Sequence, residues 1–373
     1  MMAGFTGEAR IEPSTHADHA RHALGRARTQ LQRRALELAG FLLVAYALLK
    51  LIPALEQALH ALEHASWRWV LALVAIEVLS ETGFVFAWSR IVDPDNLLAG
   101  DGRGRRMDEH VAWMQLGGGL LLPGGTLGGA GAGGLILHRF GMPTKLIAER
   151  QLNLSFLNTG IDALALVLFG AGLAIGIFTG EGNLLLTLLP AALAAAGIIA
   201  AVLIAPRADA AAQRLQAKHS KVAATITTLA AAVQDTKRLF RRGAWVPVLG
   251  AIAYLGLEVV VLWCAFRAVH ASPVPGLPIV LMAYIIGALG GSIPLPASAG
   301  TIGGVAGMLI AYGVAHNTAL AAVLLHQAIG LIVPVIGGAI AYTILRRRLG
   351  PIRIKQTSDG VPQQTGARRG RRA

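Results

Sequence analysis

The stretch 184–205, LLLTLLPAALAAAGIIAAVLIA, contains no charged side chain. About 20 consecutive apolar residues in a helix cross the hydrocarbon core of a bilayer, and inside that core only a helix or a closed barrel satisfies every backbone amide and carbonyl. Five further stretches have the same character: 36–56, 67–91, 151–178, 245–268 and 318–344. Only 14% of the chain is charged, and those residues sit almost wholly between the apolar segments. The fold class that follows is an all-α polytopic membrane protein with about six full transmembrane helices.

Two more apolar stretches, 111–138 and 277–313, are interrupted by LLPGGT and IPLPASAGT. Glycine at the density of GGGLLLPGGTLGGAGAGG (117–134) is expected to melt a helix, and Pro123 removes a backbone donor. The expectation is therefore two broken or re-entrant helical hairpins. Non-helical backbone at membrane depth is tolerated where protein or a water-filled cavity meets its polar groups. Packing of small residues between helices competes with a ligand role at each single glycine.

Charge sets the topology. With both hairpins re-entrant and the N-terminus in the cytoplasm, 30 of the 33 Lys and Arg residues lie on the cytoplasmic side, and only Lys50, Arg68 and Arg267 do not. That asymmetry is the positive-inside rule, and it accounts for the net charge of +13 without nucleic acid, which is not expected as a partner. Residues 1–34 carry no apolar run followed by a cleavage site, so no secretory signal is read. The sole cysteine, Cys264, allows neither an internal disulfide nor a cysteine-based metal cluster.

The chain then divides into a basic cytoplasmic tail (1–34), a transmembrane domain (35–348) and a second basic tail (349–373), both tails reading as disordered. Within the domain, half one (about 36–180) and half two (about 184–345) each hold three spans and a hairpin, and the basic stretch 206–243 links spans four and five on the cytoplasmic side. Three spans per half make the second half inverted. A register of 172 residues places Gly128, Gly131 and Gly141 on Gly300, Gly303 and Gly313. Inverted repeats with interrupted segments in matching positions point to a transport site near the bilayer midplane.

Two motifs are set aside. GAGAGG (129–134) satisfies G-x-G-x-x-G, but that fingerprint needs a preceding strand and a βαβ unit. The DPD of 93–95 reads as ordinary turn chemistry, and no metal site or cofactor is read from the sequence.

LLLPGGTLGGAGAGGLILHRFGMPTKLIAERQL, IPLPASAGTIGGVAGMLIAYGVAHNTALAAVLLHQAIGLIVP and AYTILRRR resemble the flippase-like family, the transmembrane region of lysylphosphatidylglycerol synthetases and its stand-alone relatives. The resemblance covers about 36–348 and implies an inner-membrane protein that moves a lipid or lipid-linked headgroup, in a form without the soluble transferase domain. Members commonly carry P-x-P-G-G-x-G followed by an acid. Here Pro294 and Pro296 lead into ASAGTIGGVAG with no acid before Gly313, so that acid's role does not carry over.

The expected substrate-binding residues flank the two breaks: Pro123, Gly124, Gly125, Gly128 and Arg139 at the first, Pro294, Pro296, Gly300 and Gly303 at the second. Arg139, with His138, Lys145 and Arg150, is placed to meet a lipid phosphate, although topology control explains the same charges. Glu77 and Glu81, at i and i+4 on one helix face, join Asp162, Glu258 and His326 as an expected proton-carrying or polar lining. Intramembrane acids must be protonated, paired or wet.

The function expected is transport of a lipid or lipid-linked phosphate headgroup, with anionic or polyprenyl-phosphate lipids as partners. The runner-up is a membrane scaffold for a separately encoded lipid-modifying transferase, docked through 206–243 and the tails. No acid–base pair or nucleophile constellation argues for an enzyme. The expected location is the inner membrane, multi-pass, with both termini cytoplasmic.

Overall fold

A computed structural model describes residues 66–99, 107–121, 126–178, 184–204, 245–289 and 299–349. Span 36–56, the linker 206–243, both tails, and Pro123, Gly124, Gly125, Pro294 and Pro296 lie outside the described residues.

Nine α-helices make up the described fold: α1 (Trp67–Val92), α2 (Met107–Leu121), α3 (Thr126–Arg139), α4 (Thr144–Ala174), α5 (Leu184–Ile204), α6 (Trp245–Ala268), α7 (Leu277–Ala288), α8 (Ala299–Ala311) and α9 (His316–Leu349). Five of them, α1, α4, α5 over Leu185–Leu203, α6 and α9, are long and apolar enough to cross a bilayer. The protein is a multi-pass membrane protein, as the apolar segments require.

The two interrupted stretches form helix pairs, α2–α3 and α7–α8, whose members pack against each other. One expectation is corrected here. The glycine-rich stretch does not melt: 126–139 is continuous helix, and GAGAGG lies inside it. Its glycines are spent on helix approach, since a Cβ at Gly129 would overlap the carbonyl oxygen of Gln115 on α2. Close backbone packing compensates the poor helix propensity of glycine.

Helix boundaries also shift. α4 begins at Thr144 rather than 151, because Pro143 sets an extended N-cap and the charged turn that follows is helical, with Lys145 and Glu149 3.9 Å apart at i,i+4. α9 runs through Pro334 to three arginines in its last turn. α5 contains Pro190, which cannot donate to the Leu186 carbonyl four residues back. The Tyr312 hydroxyl donates to that carbonyl at 2.9 Å, tying the end of α8 to α5.

Contacts between elements follow an exchange of halves. With α1, α2, α3 and α4 matched to α6, α7, α8 and α9, the packing of α1 on α2, α4 and α9 recurs as that of α6 on α7, α9 and α4. The α3–α4 and α2–α9 contacts recur likewise as α8–α9 and α7–α4. The matched helices α1 and α6 form the most extensive helix–helix contact. They run antiparallel, because the Ser66 amide just before α1 donates to the carbonyl of Ala268 at the end of α6, at 3.2 Å. An antiparallel matched pair is what an inverted repeat demands.

Two apolar cores result. One centres on α6–α9 with Phe266, Leu262 and Met282 fully buried. The other lies among α1, α2, α3 and α4 around Trp88, Leu137 and Met142. By contrast α5 exposes Leu185, Leu189, Leu193, Ile199 and Leu203, the face expected of a helix in contact with lipid.

Candidate functional site

Glu77 and Glu81 are one turn apart on α1 and both are buried. The adjoining α6 supplies Glu258, also buried, and one carboxylate oxygen of each of the three acids lies within 4.8 Å of the others. The approach of α1 to α6 that allows this is set by Gly83 and Gly250, each lacking the side chain that would hold the other helix away.

Helix α9 contributes His326, whose Nε2 lies 3.1 Å from Glu258 Oε2. The Tyr284 hydroxyl of α7 donates to the same oxygen at 3.4 Å, and its ring meets the His326 ring edge-on with centroids 5.7 Å apart. Glu258 Oε2 therefore has two polar partners. Glu77 Oε2 and Glu81 Oε2 are buried with no hydrogen-bond partner among the described residues.

A cavity of about 930 Å³ opens beside this cluster, with Glu81, Glu258, Tyr284 and His326 in its lining. Among the described residues no lysine or arginine lines it. Part of its wall comes from Leu120 of α2, Leu127 and Leu135 of α3, and Leu152 of α4, and all four are exposed. One polar region and an exposed leucine margin thus share one space.

A second polar group braces the wall. Gln115 Oε1 accepts from Trp88 Nε1 at 2.8 Å and from Gln151 Nε2 at 2.8 Å, while Gln115 Nε2 donates to Gln151 Oε1 at 2.9 Å. This reciprocal amide pair links α1, α2 and α4 beside the cavity.

The remaining expected residues have other places. Asp162 is half-buried on α4 and outside the cavity lining. Arg139 donates to the Leu349 carbonyl at 2.9 Å, fastening α3 to the end of α9. Arg150 donates to the Val92 carbonyl at 3.1 Å and to Asp95 Oδ2 at 2.7 Å, so it holds the turn after α1. Asp93 accepts from the amides of Leu97 and Leu98 at 2.9 and 3.1 Å, the turn role read for DPD. Gly128 and Gly300 belong to α3 and α8, while Gly131 and Gly303 are exposed with open space where a side chain would begin. Of these four, only Gly131 lines the cavity.

The family model for the lysylphosphatidylglycerol synthase TM region matches residues 37–338. The chain belongs to that family. No curated protein matches it. The match covers every residue that lines the cavity, so the site lies inside the family's transmembrane region.

In this member of the lysylphosphatidylglycerol synthase TM family, sequence reasoning missed Tyr284, Gln115, Gln151 and Trp88. A usable signal existed for the first two. Tyr284 is a polar-tipped aromatic inside an apolar helix, and Gln115 interrupts an otherwise apolar turn. Such groups find a partner when buried.

Proposed function

We propose that the protein transports a membrane lipid, taking a phosphate-bearing headgroup, anionic or polyprenyl-phosphate in type, into the cavity while the hydrocarbon tails stay in the bilayer. The observation that carries this reading is the combination in one cavity of Glu81, Glu258, Tyr284 and His326 with exposed leucines of α2, α3 and α4. A polar region beside an exposed apolar margin offers a lipid a place for its headgroup and a path for its tails. Alternating access follows from rocking one half of the inverted repeat against the other. The distribution of basic residues supports an inner-membrane location with both termini cytoplasmic. The chemistry is movement rather than bond-making, so the protein is a transporter and not an enzyme.

The test is reconstitution into liposomes carrying fluorescent anionic phospholipid or polyprenyl-phosphate probes, read by protection from an impermeant quencher. Gly131→Phe adds bulk to the cavity wall at a position where a Cβ meets no atom within 4 Å. Gly197→Phe adds the same bulk at an exposed position of α5 outside the lining. Exchange of at least one probe, lost in Gly131→Phe and kept in Gly197→Phe, is the expected result. No exchange of any probe by folded wild-type protein would overturn the reading.

A further inference from the structure

The three buried acids are more than a polar lining. Glu258 Oε2 has hydrogen-bond partners in Tyr284 and His326. Among the described residues Glu77 Oε2 and Glu81 Oε2 have none, although both are shut off from solvent. A buried carboxylate oxygen without a donor is met either by a proton or by a positive partner, and no lysine or arginine lines the adjoining cavity among the described residues.

The geometry fits one kind of partner. In a calcium-type site the ligand oxygens stand about 2.4 Å from the ion, so opposite ligands are about 4.8 Å apart and adjacent ones closer. One carboxylate oxygen from each of Glu77, Glu81 and Glu258 falls within 4.8 Å of the other two. Three carboxylates without thiol or imidazole ligands select hard cations over zinc or copper.

One backbone oxygen of α9 lacks its usual helical donor. Pro334 has no amide proton and cannot donate to the carbonyl of Gly330 four residues earlier in α9. Gly330, one turn after His326, also packs on this cluster, for a Cβ placed there would sit 3.5 Å from Glu77 Oε1. Carbonyls released from helical bonding commonly complete cation sites in transporters.

We propose that Glu77, Glu81 and Glu258 bind one hard cation of calcium or sodium size between α1 and α6, facing α9. Because Glu81 and Glu258 also line the cavity, waters can complete the coordination from that side. One consequence rests on the transport reading above: the bound ion turns an acidic pocket into one that a phosphate headgroup can approach. Cation binding itself does not depend on transport.

The experiment uses the full chain in phosphatidylcholine nanodiscs, washed with chelator and dialysed to equilibrium against radioactive Ca²⁺ or, separately, radioactive Na⁺. One saturable ion per chain is expected for one of the two probes. Binding should weaken at least about tenfold in Glu77→Gln and in Glu81→Gln, as loss of a ligand predicts. It should persist in Glu149→Gln, which alters an exposed acid on α4. Should the glutamine variants fail to fold, carbodiimide labelling of wild-type protein reads the same site: the ion should protect Glu77, Glu81 and Glu258 and leave Glu149 reactive. Absence of saturable binding by both probes, binding that survives in both folded variants, or labelling indifferent to the ion would each overturn the proposal. Lipid exchange is measured on the same purified protein reconstituted into the probe-bearing liposomes. Ion binding without exchange rejects transport alone, and exchange without ion binding rejects the cation site alone.

Discussion

Gly83 of α1 and Gly250 of α6 face each other so closely that a Cβ on either would stand 2.7 Å from the other's carbonyl oxygen. Each would also lie 3.0 Å from a backbone amide nitrogen, that of Tyr254 or of Ala87. Backbone cannot yield as a flexible side chain can, so any larger residue must push the helices apart. The crossing matters beyond its own contact, because Glu77 and Glu81 lie on one of the two helices and Glu258 on the other.

Gly83→Val and Gly250→Val should each destabilise the protein by about 1–3 kcal/mol, the usual range for overpacking. Gly256→Val on α6 meets open space and should leave the folded structure largely unaffected. Thermal unfolding of detergent-purified protein reads the difference. Equal melting temperatures for Gly83→Val and wild type would show that the crossing is looser than the backbone distances require.

The amide pair of Gln115 and Gln151 makes a prediction of a different kind, since its sign depends on what is left behind. Gln115→Leu strands the buried Trp88 indole N–H, at a cost of about 1–3 kcal/mol, and leaves the half-buried Gln151 amide without its partner. Gln115→Leu with Gln151→Leu removes one of the stranded partners. The double variant should therefore be less destabilised than the sum of the two single variants, by about 1 kcal/mol or more. Strict additivity in a double-mutant cycle would mean that the two amides do not bond in the membrane.

Much of the architecture was legible because charge is costly in hydrocarbon. The span expected at 245–268 has the bounds observed for α6, as Glu258 is its only charge before Arg267 in the last turn, whose guanidinium lies 4.9 Å from the Trp263 ring centre. The same logic misplaced the start of α4. Charged residues end an apolar segment but not a helix, and Thr144–Arg150 continues the helix beyond the apolar part. The glycine-rich segment was misread because propensity is a local quantity, whereas Gly129 is stabilised by contact with Gln115 and Gly119 on another helix.

The site was legible in its parts and not in its assembly. An i,i+4 pair of glutamates inside an apolar helix announces itself, and so does His326. Their convergence depends on the angular setting of α1, α6 and α9, which the Gly83–Gly250 contact and the seating of Gly330 beside Glu77 decide. No spacing within one segment encodes that. Arg139 shows the converse: a basic residue next to the break is held by the end of α9 rather than turned to the cavity.

The repeat can be tested where its two halves end a helix in the same way. The Met142 amide donates to Leu137 O at 3.1 Å and the Gly141 amide to His138 O at 3.0 Å. In the matching positions 172 residues later, Val314 donates to Leu309 O at 3.0 Å and Gly313 to Ile310 O at 2.9 Å. Both glycines are left-handed, with φ of +94° and +89°. That is a Schellman cap, which favours glycine because an L side chain is strained there. Gly141→Ala and Gly313→Ala should each cost about 1 kcal/mol, and alike, since neither position has an atom within 4 Å of the added Cβ. The cap of α6 puts His270 at φ +57°, with the His270 amide on Arg267 O and the Ala271 amide on Phe266 O. There the sign reverses, and His270→Gly should raise stability by up to about 1 kcal/mol. Thermal melting of the three variants reads all of this at once. Unequal losses for the two alanine variants would limit the repeat to its helix order, because equal strain at both caps is what a shared local geometry requires.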